Sequence, residues 1–282
     1  MASTQKTESA LLKKVWDIAN VLSAAGVGFT DYITQLTYIL FLKMDDEKES
    51  MGLPSYLPEG YKWKDLCSLS GTDPILSKLA DKYRVTLIDF LGGGRSDRVE
   101  KWPADLWFDW GCQAKALCDH LGLKKVKLIG SSGGALAAFN FALEYPGYVD
   151  SFIADSFEGL KADPGIMEQL ISGRAQAKTS GGFVKYLKSL HGDDWEQVFD
   201  ADTDAVVRHA EQIGVFFHKP VEELKVPVLL TGSLEDDMFP KGHCRVLFDE
   251  ICAKTTLAKT HIFEHGRHPA MLSNMDEFIK LC

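Results

Sequence analysis

The chain changes character near residue 72. Before that point the apolar positions recur at helical spacing. Leu11, Leu12, Val15, Ile18, Ala19 and Leu22 fall on one face, with Glu8 and Ser9 placed to cap them. Gly26 and Gly28 break the pattern, and Asp31 opens a second helical run to about Glu49, with Ile33, Leu36, Ile39, Leu40 and Leu42 on its apolar side. Pro54, Pro58 and Gly60 then mark a loop, so the opening segment predicts a helical hairpin with no strand. From Pro74 onward short apolar runs alternate with helical ones. Strands are predicted at Val85–Phe90, Val126–Gly130, Val149–Ala154, Val226–Thr231 and Thr260–Phe263, and helices at Ala104–Leu121 and Ala135–Tyr145. Such alternation implies a largely parallel sheet covered on both faces. The interval 157–219 breaks the rhythm. It is mostly helical, carries Trp195 and Phe216-Phe217, and predicts an insertion over one end of the sheet.

At 282 residues, 45% hydrophobic and 25% charged, the chain has the make-up of a soluble globular protein with a sizeable core. Its net charge of −9 argues against a broad nucleic-acid-binding face, which is normally basic. The six cysteines are scattered without a C-x-x-C pair, which suits free thiols in a reducing compartment better than a zinc site or a disulfide framework. The N-terminus lacks a basic stretch followed by an apolar one. The most apolar run, Tyr32 to Met44, is too short to span a bilayer and contains Thr, Gln and Lys. These features predict a cytoplasmic protein that does not enter the membrane.

Candidate chemistry begins at Gly130-Ser131-Ser132-Gly133-Gly134, a G-x-S-x-G pentapeptide lying directly after an apolar strand and before an Ala-rich helix. A turn that tight needs small residues two before and two after the serine, and it lifts the Ser132 hydroxyl to the positive end of the next helix. A serine hydroxyl needs a base to take its proton. In a sheet of this kind acid and base follow in the order Ser, Asp, His, on loops after later strands. The loop after strand 226–231 holds Glu235, Asp236 and Asp237. Asp236, four residues before Pro240, fits the usual spacing best, with Asp237 its main competitor and Glu235 a weaker one. The last strand runs into Glu264-His265-Gly266-Arg267-His268-Pro269. His268 lies just before the final helix, where the base must sit, whereas His265 is too close to the strand. The glycines of Asp89-Phe-Leu-Gly-Gly-Gly-Arg-Ser-Asp97 are followed by neither Lys-Ser/Thr nor a helix, so no nucleotide, other cofactor or metal is expected.

With these motifs in order, residues 74–282 resemble the α/β-hydrolase superfamily, in its compact esterase, lipase and lactonase-like branch. DFLGGGRSD is similar to that family's D-x-x-G-x-G-x-S-D turn, GSSGG to its nucleophile elbow, VPVLLTGSLEDDMFP to its acid loop, and GRHP with NMDEF to its histidine segment. The resemblance implies a cap at about 157–219 and a small acyl or ester substrate. It further implies attack by Ser132, proton relay by His268, and Asp236 holding the imidazole tautomer.

The first segment, about residues 8–73, resembles something else. LLKKVWDIANVLSAAGVGFTDYITQLTYILFLKMDDE followed by LPEGYKWKDL is similar to the helical N-terminal domain of the DNA methylase subunit of type I restriction–modification systems. The Asn-Pro-Pro-Tyr/Phe motif and the S-adenosylmethionine loop of that family are absent, so methyl transfer is not expected. The resemblance implies a protein-subunit or DNA contact through residues 1–73, although this copy carries seven Lys and no Arg against ten acids up to Asp73. A non-catalytic assembly or DNA-associated module is therefore the alternative to a serine hydrolase. The junction bears on this choice. Hydrolases of the resembled branch begin with two or three strands and a His-Gly loop that donates one oxyanion N–H. Here Asp73-Pro-Ile-Leu follows Ser-Leu-Ser-Gly-Thr with no such strand or loop, so the N-terminal strands read as missing. Gly133 can supply one oxyanion N–H, the second donor has no evident source, and impaired turnover is implied. A fusion of two gene fragments is the favoured origin, beside an evolved hybrid and a diverged hydrolase start.

Overall fold

The structure, a computed structural model of the chain, describes residues 41, 43–49, 51–55, 57, 74–80 and 82–282. It divides into two compact units, Met1–Asp73 and Pro74–Cys282. In the first, residues 43–49 are helical and 51–52 form a turn, which matches the expected end of the second helix near Glu49. The Ser55 hydroxyl donates to the buried Asp45 carboxylate, while Ser55 Oγ accepts the Leu57 N–H at 3.0 Å. The predicted first helix, Leu11 to Ala25, lies outside the described residues.

Elements of the second unit are numbered from Pro74. They are α1 (Pro74–Ala80), α2 (Leu106–His120), β1 (Val126–Ser131), α3 (Gly133–Glu144), β2 (Val149–Asp155), α4 (Pro164–Ala177), α5 (Gly181–His191), α6 (Trp195–Gln212), β3 (Val228–Ser233), α7 (His243–Lys254), β4 (Ala258–Phe263), α8 (Ala270–Ser273) and α9 (Met275–Leu281). The four strands form one parallel sheet in the order β1-β2-β3-β4. Because successive side chains on a strand point to opposite faces, β2 feeds two cores. Phe152 and Ala154 join the large cluster with Phe139 and Phe141 of α3 and Phe248 of α7. Ile153 faces the smaller cluster of Ile75, Leu79, Phe263, Ala270 and Phe278. Helix α3 is buried from Ala135 through Leu143, which explains its run of Ala and Phe with no charge until Glu144. Its one internal amide, Asn140, donates to Leu136 O at 3.0 Å and to Phe216 O at 2.9 Å.

Between β2 and β3 the chain leaves the sheet to build α4, α5 and α6. The stem of this excursion is closed where Ala162 N–H donates to Gly214 O at 2.8 Å and Phe216 N–H to Leu160 O at 3.1 Å. Leu187, Trp195 and Phe199 form its own small core. No helix among the described residues is long and apolar enough to cross a membrane.

One predicted strand is corrected. Val85–Phe90 is not part of the sheet: residues 84–90 carry no ladder, and Val85 and Leu87 are exposed. An apolar run becomes a strand only when a neighbour pairs its backbone and both faces are covered. Among the described residues β1 is the edge of the sheet and no strand lies beyond it. At the end of this stretch Phe90 stacks on Trp110 of α2 with ring centroids 4.7 Å apart.

Candidate active site

The turn from β1 into α3 places Ser132 at φ 53°, ψ −126°, an uncommon conformation for a residue with a side chain. Its backbone N–H is satisfied by Asp155 O at 2.9 Å, and its carbonyl accepts the Ala135 N–H at 2.9 Å as the first turn of α3 closes. A Cβ at Gly130 would collide with the carbonyl of Gly134, so the strand can return this sharply only with glycine there. The half-buried Ser132 side chain thus stands at the N-terminus of a 12-residue helix, where the unpaired N–H groups and the macrodipole favour negative charge.

The loop after β3 separates its three acids into three roles. Asp236, 6% exposed at its side chain, receives His268 Nδ1 at 3.0 Å on Oδ2 and 3.2 Å on Oδ1. Its Oδ1 also accepts the Met238 N–H at 3.0 Å, which fixes the carboxylate against its own loop. Asp237 Oδ1 accepts the His268 backbone N–H at 3.0 Å, while the ring's hydrogen bonds go to Asp236. Glu235 pairs with the exposed His265 Nδ1 at 3.1 Å. His268 is 14% exposed at its side chain and packs edge-on against Phe239, with centroids 5.4 Å apart. Asp236 and His268 are therefore brought together. Ser132 Oγ and His268 Nε2 make no hydrogen bond to each other or to any other described residue.

Beneath the elbow lies a group that sequence reading passed over. Asp155, the last residue of β2, is fully buried between Ser131 and Thr231 in register. Its carboxylate accepts the Thr231 hydroxyl at 2.7 Å, the Ser131 hydroxyl at 3.1 Å and the Met271 N–H at 3.2 Å. Burial raises its pKa, against the lowering effect of these hydrogen bonds. The available signal was an acid at the carboxyl end of a strand in an open α/β sheet. Glu158, three residues on, has a buried Oε2 with no partner among the described residues, and burial pushes its carboxyl up as well.

The glycine-rich turn contributes an anchor instead of a nucleotide loop. Arg98 forms a fork on Asp194 at 2.7 and 2.9 Å and donates to His191 O at 2.7 Å, tying the turn to the end of α5 and the start of α6. A cavity of about 500 Å³ lies along this seam, lined by residues 94–98 and 188–192 with Asp194, and it includes none of Ser132, Asp236 and His268. Among the described residues no group of His, Cys, Asp and Glu could hold a metal ion.

The parallel sheet holds Ser132 at a strand-to-helix turn and sets the Asp236–His268 pair on later loops, an arrangement that resembles the site of a hydrolase. Residues 60–189 match the family described as the alpha/beta hydrolase fold. The chain is 26% identical over 214 residues to the human serine hydrolase BPHL, covering 74% of this chain and 71% of that protein. Its structure is similar to that of NosK from Streptomyces actuosus, with a TM-score of 0.57 at 21% identity, over 74% of this chain and 87% of the other. The second unit therefore has the α/β-hydrolase fold and is similar in sequence to enzymes of that fold. The N-terminal resemblance is a separate finding. The chain is 43% identical over 63 residues to the StySJI type I restriction enzyme methylase subunit of Salmonella typhimurium, 22% of this chain but only 12% of that subunit's length.

Proposed function

We propose that this protein is a serine hydrolase of carboxylic esters or related acyl compounds, acting through an acyl-enzyme. In this reading residues 74–282 are the catalytic domain and 157–219 its cap. Ser132 Oγ attacks the acyl carbon as its proton passes to His268 Nε2. The same imidazole then returns the proton to the leaving alcohol and activates water for the second half. Asp236 holds the Nδ1–H tautomer and offsets the imidazolium charge, and Gly133 N–H receives the developing oxyanion at the start of α3. The observation that carries the reading is the His268 Nδ1–Asp236 contact at 3.0 Å, on a loop of the same sheet that holds Ser132 at φ 53°. The serine hydrolase relative supports it. The five described cysteines are free thiols, which suits the cytoplasm.

The decisive experiment compares the wild-type chain with Ser132→Ala on a chromogenic short-chain ester. Loss of at least about 1000-fold in kcat is expected, from the scale of nucleophile deletions in serine hydrolases. Equal rates would eliminate the proposal.

The methylase likeness favours a second role for residues 1–73, as an assembly or DNA-contacting module. Its expected signature is co-purification with a specificity subunit, or DNA binding at low salt that weakens as salt rises. A chain that captures neither in 50 mM salt would dispose of that role.

A further inference from the structure

The oxyanion needs more than one donor, and sequence reading found only Gly133 N–H. A second is at hand. Trp107, the second residue of α2, is 3% exposed, and its indole nitrogen lies 2.8 Å from the position a Cβ on Gly133 would occupy. That position is bonded to the same Cα as the Gly133 nitrogen, so the indole nitrogen lies beside the residue whose backbone N–H is the first donor. Among the described residues the indole N–H donates to none. It is not among the unpaired buried polar atoms closed off from solvent, which are Asn140 Oδ1 and Glu158 Oε2. An unpaired donor on a side chain this deeply buried opens into a space that an acceptor can enter.

The ring is also held in place. His209 meets it edge-on at 4.7 Å and Phe216 at 5.0 Å. His209 is fully buried, with Nδ1 at 3.0 Å from Ala104 O and Nε2 at 3.0 Å from Val215 O. Helix α2 packs along α3, so the same helix pair carries both the indole and Gly133. Donors held by packing need no rearrangement as charge develops, which is what makes them effective in a transition state.

We propose that Trp107 Nε1–H is the second oxyanion donor of this hydrolase, a catalytic residue standing where a backbone N–H from another loop would otherwise serve. This rests on Ser132 being the nucleophile. When the Ser132 Oγ–carbon bond forms, the carbonyl π pair moves onto oxygen and the serine proton moves to His268. The resulting oxyanion accepts from Gly133 N–H and from Trp107 Nε1–H. Gly133 then has a second purpose. Any side chain at that position would push the indole away.

The test uses the full chain, a chromogenic ester and a fluorophosphonate probe. Trp107→Phe keeps an aromatic ring and removes the N–H. It is expected to lower kcat about 100-fold, with KM within about threefold, and to slow labelling of Ser132 in proportion, as loss of one oxyanion donor does. Gly133→Ala should also slow both, because its new Cβ displaces the indole. Combining the two should cost no more than the larger single loss, since both remove one interaction. A folded Trp107→Phe with wild-type kcat and labelling, or losses that simply multiply in the double variant, would overturn the assignment. If Trp107→Phe does not give a cooperative melt, Gly133→Ala decides alone, and an unchanged labelling rate overturns it. Ser132→Ala separates the two levels: wild-type turnover there removes the serine mechanism itself, and the Trp107 role with it.

Discussion

The carboxylate of Asp155 accepts the hydroxyl of Ser131 at 3.1 Å, so the end of β2 is tied to the residue immediately before the proposed nucleophile. The same carboxylate holds Thr231 of β3 and the Met271 N–H just beyond His268. One buried acid thereby links the three segments that carry the serine, the acid loop and the histidine. Such a group is costly to ionise in a dry site, and its folded pKa is raised by burial. Relative to the unfolded chain, the folded state then binds this proton more readily. Through this group stability increases as pH falls from the raised folded value toward the ordinary carboxylate value near about 3.9, and is lost again as pH rises through the folded value.

Asp155→Asn removes that dependence. Its amide oxygen can still accept from Ser131 and Met271 while its nitrogen donates to Thr231. The stability difference between variant and wild type should favour Asn most at neutral pH and shift toward wild type on acidification. Urea unfolding of both proteins at several pH values measures it, and a difference that does not change with pH contradicts the expectation.

The contrast between Asp236 and Asp237 yields a sharper kinetic expectation. Asp236→Asn leaves shape intact but offers the wrong partner to the Nδ1–H, and should lower kcat by about 10³- to 10⁴-fold. Asp237 Oδ1 meets the His268 backbone N–H, which an amide oxygen can accept equally well, and Oδ2 lies 3.9 Å from the exposed Arg267 Nε. Asp237→Asn should stay within about tenfold of wild type, at the scale of a neutral hydrogen bond. Steady-state kinetics on one ester decides; the reverse order would assign the acid to Asp237.

The uncorrected edge of the sheet predicts behaviour in solution. Ile129 on β1 is 39% exposed and Leu87 in the unpaired 84–90 stretch is 68% exposed. Exposed apolar side chains next to open backbone invite pairing with other chains. Leu87→Lys and Ile129→Lys should each reduce self-association in sedimentation velocity, with stability within about 0.5 kcal/mol of wild type, as for surface substitutions.

Much of this protein was legible along the chain because the determining interactions are local. An apolar run, a glycine-bracketed serine and an Ala-rich segment announce strand, sharp turn and buried helix without reference to anything distant, and β1, Ser132 and α3 follow. The alternation after residue 74 likewise reports a parallel sheet, since each strand buried on both faces must be apolar throughout. Val85–Phe90 has the same composition and is not a strand. Pairing is a property of neighbours, and no described strand lies beside it.

Spacing to Pro240 favoured Asp236 over Asp237 and Glu235, but which of three adjacent carboxylates meets the imidazole depends on where the turned loop aims them. Asp155 and Trp107 passed as a strand end and a helix residue. Their partners lie on other elements, 76 residues away at Thr231 in one case. Covalent order and hydrophobic period determine the elements and the candidate nucleophile; the packing of α2 on α3 and of β2 between its neighbours determines which polar atoms meet around it.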